Sequence, residues 1–254
     1  MINGLRFLFF APLLLVIASP TFGDELLSIK AGYQLLEPEG SISVSDNGFG
    51  SRLDVENDLY LDDSEELIAE LGLQWGDSRL TFSYLPIEFS GAGRIPFSGS
   101  YDGHEFNSGD QVSSSVKLDL YDAGYTYYLI NVDDLPIRFQ LGIELSLKVA
   151  DLEIEFSDAT TQFSKGDSLL VPIPTIGLRS RVALADLVGL SARAGYLEYD
   201  DNSIIDADIQ LDYSPIPNAG LFVGYRFFDL DVDDQDLYVS IEISGPYAGL
   251  IVRF

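Results

Sequence analysis

The chain has 254 residues, no cysteine, and 41 Asp and Glu against 14 Lys and Arg, for a formal net charge of −27. Phosphate backbones are bound by concentrated positive charge, so nucleic acid is excluded as a partner, and the missing cysteines exclude disulfide staples and thiolate metal sites. With 14 Tyr and 16 Phe, the chain carries too much aromatic surface to stay unfolded.

The first stretch, MINGLRFLFFAPLLLVIASPTFG, has one basic residue, Arg6, followed by an apolar run from Phe7 to Ala18. Small residues at Thr21 and Gly23 then precede Asp24. This is the pattern of a secretory signal peptide over residues 1–23, which leaves 24–254 as the folded domain. Removing the leader takes away Arg6 and no acid, so the remaining chain is more acidic still.

Downstream, alternating apolar and polar residues predict strands near 26–36, 64–75, 78–89, 111–129, 136–155, 169–184, 188–199, 203–213, 219–231 and 236–254. ELIAELGLQW sets Leu67, Ala69, Leu71, Leu73 and Trp75 against Glu66, Glu70, Gly72 and Gln74. In KLDLYDAGYTYYL the apolar parity slips, from Leu118 and Leu120 to Tyr121, Ala123, Tyr125 and Tyr127. A β-bulge near Leu120–Asp122 would keep all of these on one face. PIRFQLGIELSLKV places seven apolar residues on one side, from Ile137 to Val149, which suits a tilted strand crossing a hydrocarbon layer. SIIDADIQLDY and AGLFVGYRFF repeat the theme. At the C-terminus Ala248, Leu250, Val252 and Phe254 hold one parity to the last residue.

The connections WGDS, LINVDDLP, ALADLVG and SPIPNAG are short, whereas 37–63, 90–110 and 156–168 are long and polar. Short turns at one end and long loops at the other is the layout of a transmembrane barrel. Trp75, Tyr127, Tyr213 and Phe254 fall near the short-turn ends, where an interfacial girdle belongs. A secreted β-sandwich would alternate as well, but it would leave strand edges that a closed barrel removes. The expected fold is therefore all-β, a transmembrane antiparallel β-barrel of about ten strands, with eight or twelve as neighbours.

A leader, paired amphipathic strands and a last strand ending in an aromatic resemble the small outer-membrane β-barrel proteins of Gram-negative bacteria. The stretch from Gly93 to Leu129 is also similar to uncharacterised proteobacterial barrels of this size. The resemblance implies placement in the outer membrane, with lipid and lipopolysaccharide as surroundings. It also implies recognition by the barrel assembly machinery through Ala248, Leu250, Val252 and Phe254.

By parity, the expected lumen collects Arg138, Lys148, Arg179, Arg181, Arg193, Arg226 and Arg253, facing Glu66, Glu70, Asp119, Glu144, Asp206, Asp208 and Asp212. These charges are compatible with a salt-bridged core that closes the lumen and with a narrow porin-like passage. The acidic stretches 56–66, 197–206 and 227–236 lack the spacing of a calcium loop, so no metal ligand set and no cofactor is expected. Loose divalent-cation bridging to lipopolysaccharide phosphates is the binding chemistry open to them. The one histidine, His104, has Ser98, Ser100, Ser108, Asp102, Glu105 and Asp110 nearby in sequence. It is the residue on which a lipid-A-modifying or omptin-like protease reading rests, and a surface-binding role is the other alternative. The expectation is a non-enzymatic barrel.

Overall fold

The computed structural model describes residues 26–44, 52–56, 60–94, 98–101, 104–132, 138–158, 163–185, 187–200, 202–216, 218–234 and 237–254. The stretch 1–23 expected as a leader lies outside the described residues. Thirteen strands follow in chain order: β1 (Leu27–Val44), β2 (Arg52–Asp54), β3 (Ser64–Trp75), β4 (Ser78–Arg94), β5 (Gly99–Tyr101), β6 (His104–Phe106), β7 (Gln111–Val132), β8 (Arg138–Asp158), β9 (Phe163–Ala185), β10 (Val188–Tyr199), β11 (Asn202–Ile216), β12 (Ala219–Asp234) and β13 (Leu237–Arg253). Ten of them pair antiparallel in the cycle β1-β3-β4-β7-β8-β9-β10-β11-β12-β13, and β13 returns to β1 from Ser28↔Arg253 to Val44↔Leu237. β2 adds to the loop end of β1, and β5–β6 forms a separate two-stranded hairpin.

Closure draws on small residues at the seam. Gly32 of β1 and Gly249 of β13 stand opposite each other, and the ring of Phe222 from β12 lies against both. A Cβ on Gly249 would come within 2.6 Å of the Phe222 ring and 2.3 Å of the Ala31 carbonyl oxygen. The inward Tyr247 packs beside Phe222 with ring centroids 6.0 Å apart.

Apolar residues switch sides along the strands. Toward the short turns, Trp75, Phe82, Tyr125, Tyr127, Leu145, Leu178, Leu211, Leu221 and Leu250 point outward and are exposed, while the inner wall is polar. Toward the long loops, Leu36, Ile87, Phe89, Ile204, Phe228 and Ile243 point inward and form one buried cluster, joined by Val55 and Leu61 from the segment after β2. Many of the outward neighbours there are polar, among them Glu37, Glu88, Lys117, Asp119 and Glu198, while Leu35 and Leu67 remain exposed. The barrel is polar inside and apolar outside in its lower part, then apolar inside and polar outside above it.

This inversion accounts for the parity slip in β7. The pairing of β7 with β4 and β8 runs without a shift through Leu118–Tyr127, so no bulge occurs at Leu120–Asp122. The irregularity falls instead between Tyr128 and Ile130. Leu118 and Leu120 simply face the loop-end core. The strands also outrun the expected ones. β1 extends into 37–63, β4 into 90–110, and β8 and β9 into 156–168, so the sheet continues above the apolar belt.

Gly249→Val should lower the thermal midpoint of the refolded barrel, read by heat-modifiable gel migration, through overpacking of about 1–3 kcal/mol. The same change at exposed Ala248, one residue away on the outer wall, should leave the midpoint nearly unmoved.

Candidate functional site

Below the apolar cluster, the lumen is filled by charged side chains that reach across it. Arg193 of β10 is the hub. Its guanidinium lies 2.9 Å from Asp122 of β7, 2.9 Å from Asp208 and 3.1 Å from Asp206 of β11, with Glu144 of β8 at 3.8 Å. Lys148 of β8, only 1% exposed, binds two of the same carboxylates, Asp206 at 2.8 Å and Asp122 at 3.1 Å. Two cations and two carboxylates thus alternate around a square that joins β7 and β8 to β10 and β11. Ser146 donates to Asp122, and Arg179 pairs with Glu144, which also accepts from Thr126 at 2.8 Å.

A second layer spans the remaining wall. Lys30 of β1 reaches Glu70 at 3.2 Å and Gln210 of β11 at 3.1 Å, and its ammonium stands 5.8 Å from the centre of the Phe222 ring. Gln210 in turn donates to Asp212 at 2.6 Å. Arg226 donates to Gln34 at 2.8 Å and lies over the Tyr247 ring at 5.0 Å, while the Tyr247 hydroxyl donates to Asp208 at 3.1 Å. Nearer the turn end, Arg79 bonds Gln74, and Arg253 bonds Ser214 and faces Asp212 at 3.6 Å. The enclosed space left between Lys30, Glu70, Arg193 and Tyr247 is about 30 Å³, room for about one water molecule.

Most of the sequence-derived lumen set therefore lies in or beside this network: Glu70, Glu144, Lys148, Arg179, Arg193, Asp206, Asp208, Arg226 and Arg253. Arg138 and Arg181 share the inward parity and are half-buried near the turn end. Glu66 has inward parity too, but it borders a gap in the wall. Asp119 does not belong to the lumen: it alternates with buried Leu120 and accepts a 2.6 Å hydrogen bond from the outward Tyr84. The carboxylate that β7 contributes is Asp122, displaced from expectation because Leu118 and Leu120 read as outward residues. Lys30, Gln34 and Arg79 were also missed, although the outward run Ile29, Ala31, Tyr33 already places Lys30 and Gln34 inward.

Ala248, Leu250, Val252 and Phe254 are all exposed on the outer wall. His104 pairs with Tyr101 in the β5–β6 hairpin, and Ser100 with Glu105. In the same connection the Ser108 amide donates to the Ser98 hydroxyl at 3.0 Å, and the Asn107 amide donates to Asp110 at 2.8 Å. Asp102 lies outside the described residues. Among the described residues, no group of three or more His, Asp or Glu side chains is arranged to hold a metal ion.

No family model matches the chain, and no curated protein matches it. Among solved structures, the outer membrane protease OmpT from Escherichia coli is similar at a TM-score of 0.58 and 11% identity, over 90% of this chain and 96% of that one. The outer membrane protein OprG from Pseudomonas aeruginosa gives 0.45 at 10% identity, over 91% and 98%. The translocator domain of the autotransporter NalP from Neisseria meningitidis gives 0.45 at 15%, over 90% and 88%. Identities this low speak to the fold and not to an activity. The closed ten-strand cycle, the exposed apolar belt and the likeness to OmpT in fold make the chain a ten-stranded outer-membrane β-barrel, located in the bacterial outer membrane.

Removing one partner of a buried ion pair leaves an uncompensated charge, at a cost of about 3–5 kcal/mol. Arg193→Met takes the shared guanidinium from Asp122, Asp206 and Asp208, leaving Lys148 to hold two of them, and should lower unfolding stability in urea by about that much. Arg193→Lys, which keeps the charge but loses the fork, should fall between it and the parent.

Proposed function

We propose that the protein is a closed, non-conducting barrel that serves as a structural component of the outer membrane and presents its extended loop end outside the cell. The observation that carries this reading is the doubly filled lumen. A cross-linked ionic network occupies the lower part, and the apolar cluster around Leu36, Phe89 and Phe228 occupies the part above it. Ten strands enclose little space to begin with, since eight are already filled by side chains. An ion entering from the periplasmic side would have to break several charge pairs and then cross a layer that offers it no polar partner. The surplus acid of the chain lies elsewhere, because inside the barrel carboxylates and cations are close to balance, whereas Glu37, Glu39 and Asp62 are exposed at the loop end. Those residues are open to loose divalent-cation bridging with lipopolysaccharide.

The same reading gives the protein no catalytic step. His104 belongs to a hairpin that pairs only with itself and not with the barrel sheet. His104→Ala should leave lipid A composition unchanged in cells producing the protein, and a changed lipid pattern would assign chemistry to that residue.

Refolded mature protein in planar bilayers should give no unitary conductance steps in either high or low salt. Steady, ion-selective steps from protein with heat-modifiable migration would overturn the closed-barrel reading and favour a narrow passage past Arg193.

A further inference from the structure

The wall of the barrel has an opening between β3 and β4. These strands pair regularly from Trp75↔Ser78 up to Ala69↔Tyr84 and then separate, although β3 continues to Ser64 and β4 to Arg94. The next contacts above are the Glu88 amide donating to the Ser64 hydroxyl at 3.0 Å and the Asp62 amide donating to the Ser90 carbonyl at 3.0 Å. Both are one residue out of register with the ladder below. The opening is thus bounded above and below, as a window and not as a frayed edge.

Its cause is legible in the chain. Continued pairing would set Leu67 against Pro86, which has no N–H to donate. The Pro86 carbonyl, left without a strand partner on that side, accepts instead from the side-chain amide of fully buried Gln34 at 2.8 Å. Because Gln34 and Ser64 satisfy the freed backbone groups, the gap persists without orphaned hydrogen-bonding groups at those two positions.

The window holds about 290 Å³. Leu67 and Pro86 are its sides, and Ile87, which belongs to the inner apolar cluster, is its floor. Tyr84, stacked on Tyr121 at 5.1 Å, stands where the outer apolar belt ends. The opening therefore faces lipid at the level where hydrocarbon meets headgroups. The rim carries three carboxylates, Glu66, Glu88 and Asp119, against the single ammonium of Lys117, which already lies 3.5 Å from Asp119.

We infer that this window is a lateral binding site for one hydrocarbon chain of an outer-leaflet amphiphile. The chain enters between Leu67 and Pro86 onto Ile87, and the acidic rim selects an uncharged or cationic head over an anionic one. The volume is at the lower end for small-molecule sites and fits a single chain segment. Methylenes buried there gain free energy relative to water but little relative to lipid, so selection falls to the rim.

The absence of native cysteine allows a direct test. Leu67→Cys at the window and Leu221→Cys on the plain outer wall are each labelled with an environment-sensitive fluorophore. Both proteins are reconstituted in phosphatidylcholine vesicles. Nitroxide-labelled stearyl trimethylammonium, stearyl alcohol and stearyl sulfate are then titrated in turn. The expected result is saturable quenching at position 67, at least threefold above position 221 at low probe, with the sulfate the weakest of the three. Pro86→Val, which restores an N–H for β3, should abolish the excess. Equal, non-saturating quenching at both positions would mean bulk lipid contact only and would overturn the site. Preference for the sulfate would overturn the assignment of the head. The outcome is independent of whether the lumen conducts.

Discussion

Pairing of β13 with β1 closes the strands into a ring, and a wall in hydrocarbon has to be closed because no water is present to satisfy open backbone groups. That closure brings inward-facing side chains from all sides into a narrow space and obliges them to satisfy one another. Arg193 and Lys148 answer the requirement with shared carboxylates, so each strand carrying Asp122, Asp206 or Asp208 is tied across the lumen and not only to its sheet neighbours. Buried ion pairs seldom contribute much net stability, but an incomplete set is costly. The network fixes which strands face one another more firmly than it deepens the folded state.

Outside the bilayer the constraint reverses. The outer face meets water and becomes polar, while the inner face is free to pack as an ordinary core, with Val55 and Leu61 closing over Leu36, Ile87 and Phe228. One sheet therefore serves two solvents along its length. Two of its strands, β3 and β10, are short, with 12 residues each, and beside them the wall splits. β3 leaves β4 at Pro86, and β10 leaves β9 above Ile176↔Tyr196, where Pro172 and Pro174 follow along β9.

Much of this was legible in the sequence, and where it was not, a physical reason can be given. Strand positions, closure and the outward face of the last strand follow from alternation alone. Asp119 was misplaced for Asp122 because alternation states that two faces differ, not which one meets lipid, and β7 crosses the surface at Leu120. The extensions of β8 to residue 158 and of β9 back to residue 163 were read as loop because that stretch is polar and lacks a sustained apolar alternation. The prolines inside β4 and β9, Pro86, Pro172 and Pro174, carried the signal for the wall openings, since a proline has no N–H to give a neighbouring strand. Which carboxylate meets which cation depends on tilt and register across the lumen, which periodicity along one strand cannot supply.

The central claim is a sealed lumen, and solvent access to its wall tests it most directly. Thr126, fully buried beside Glu144, can be replaced by the only cysteine in the chain and exposed to a small charged methanethiosulfonate from either side of a reconstituted membrane. Protection from both sides while the barrel stays folded, with labelling only after urea unfolding, is the predicted result. Rapid labelling of the folded protein from both sides would contradict it, because a reagent able to reach Thr126 by both routes requires a continuous aqueous path.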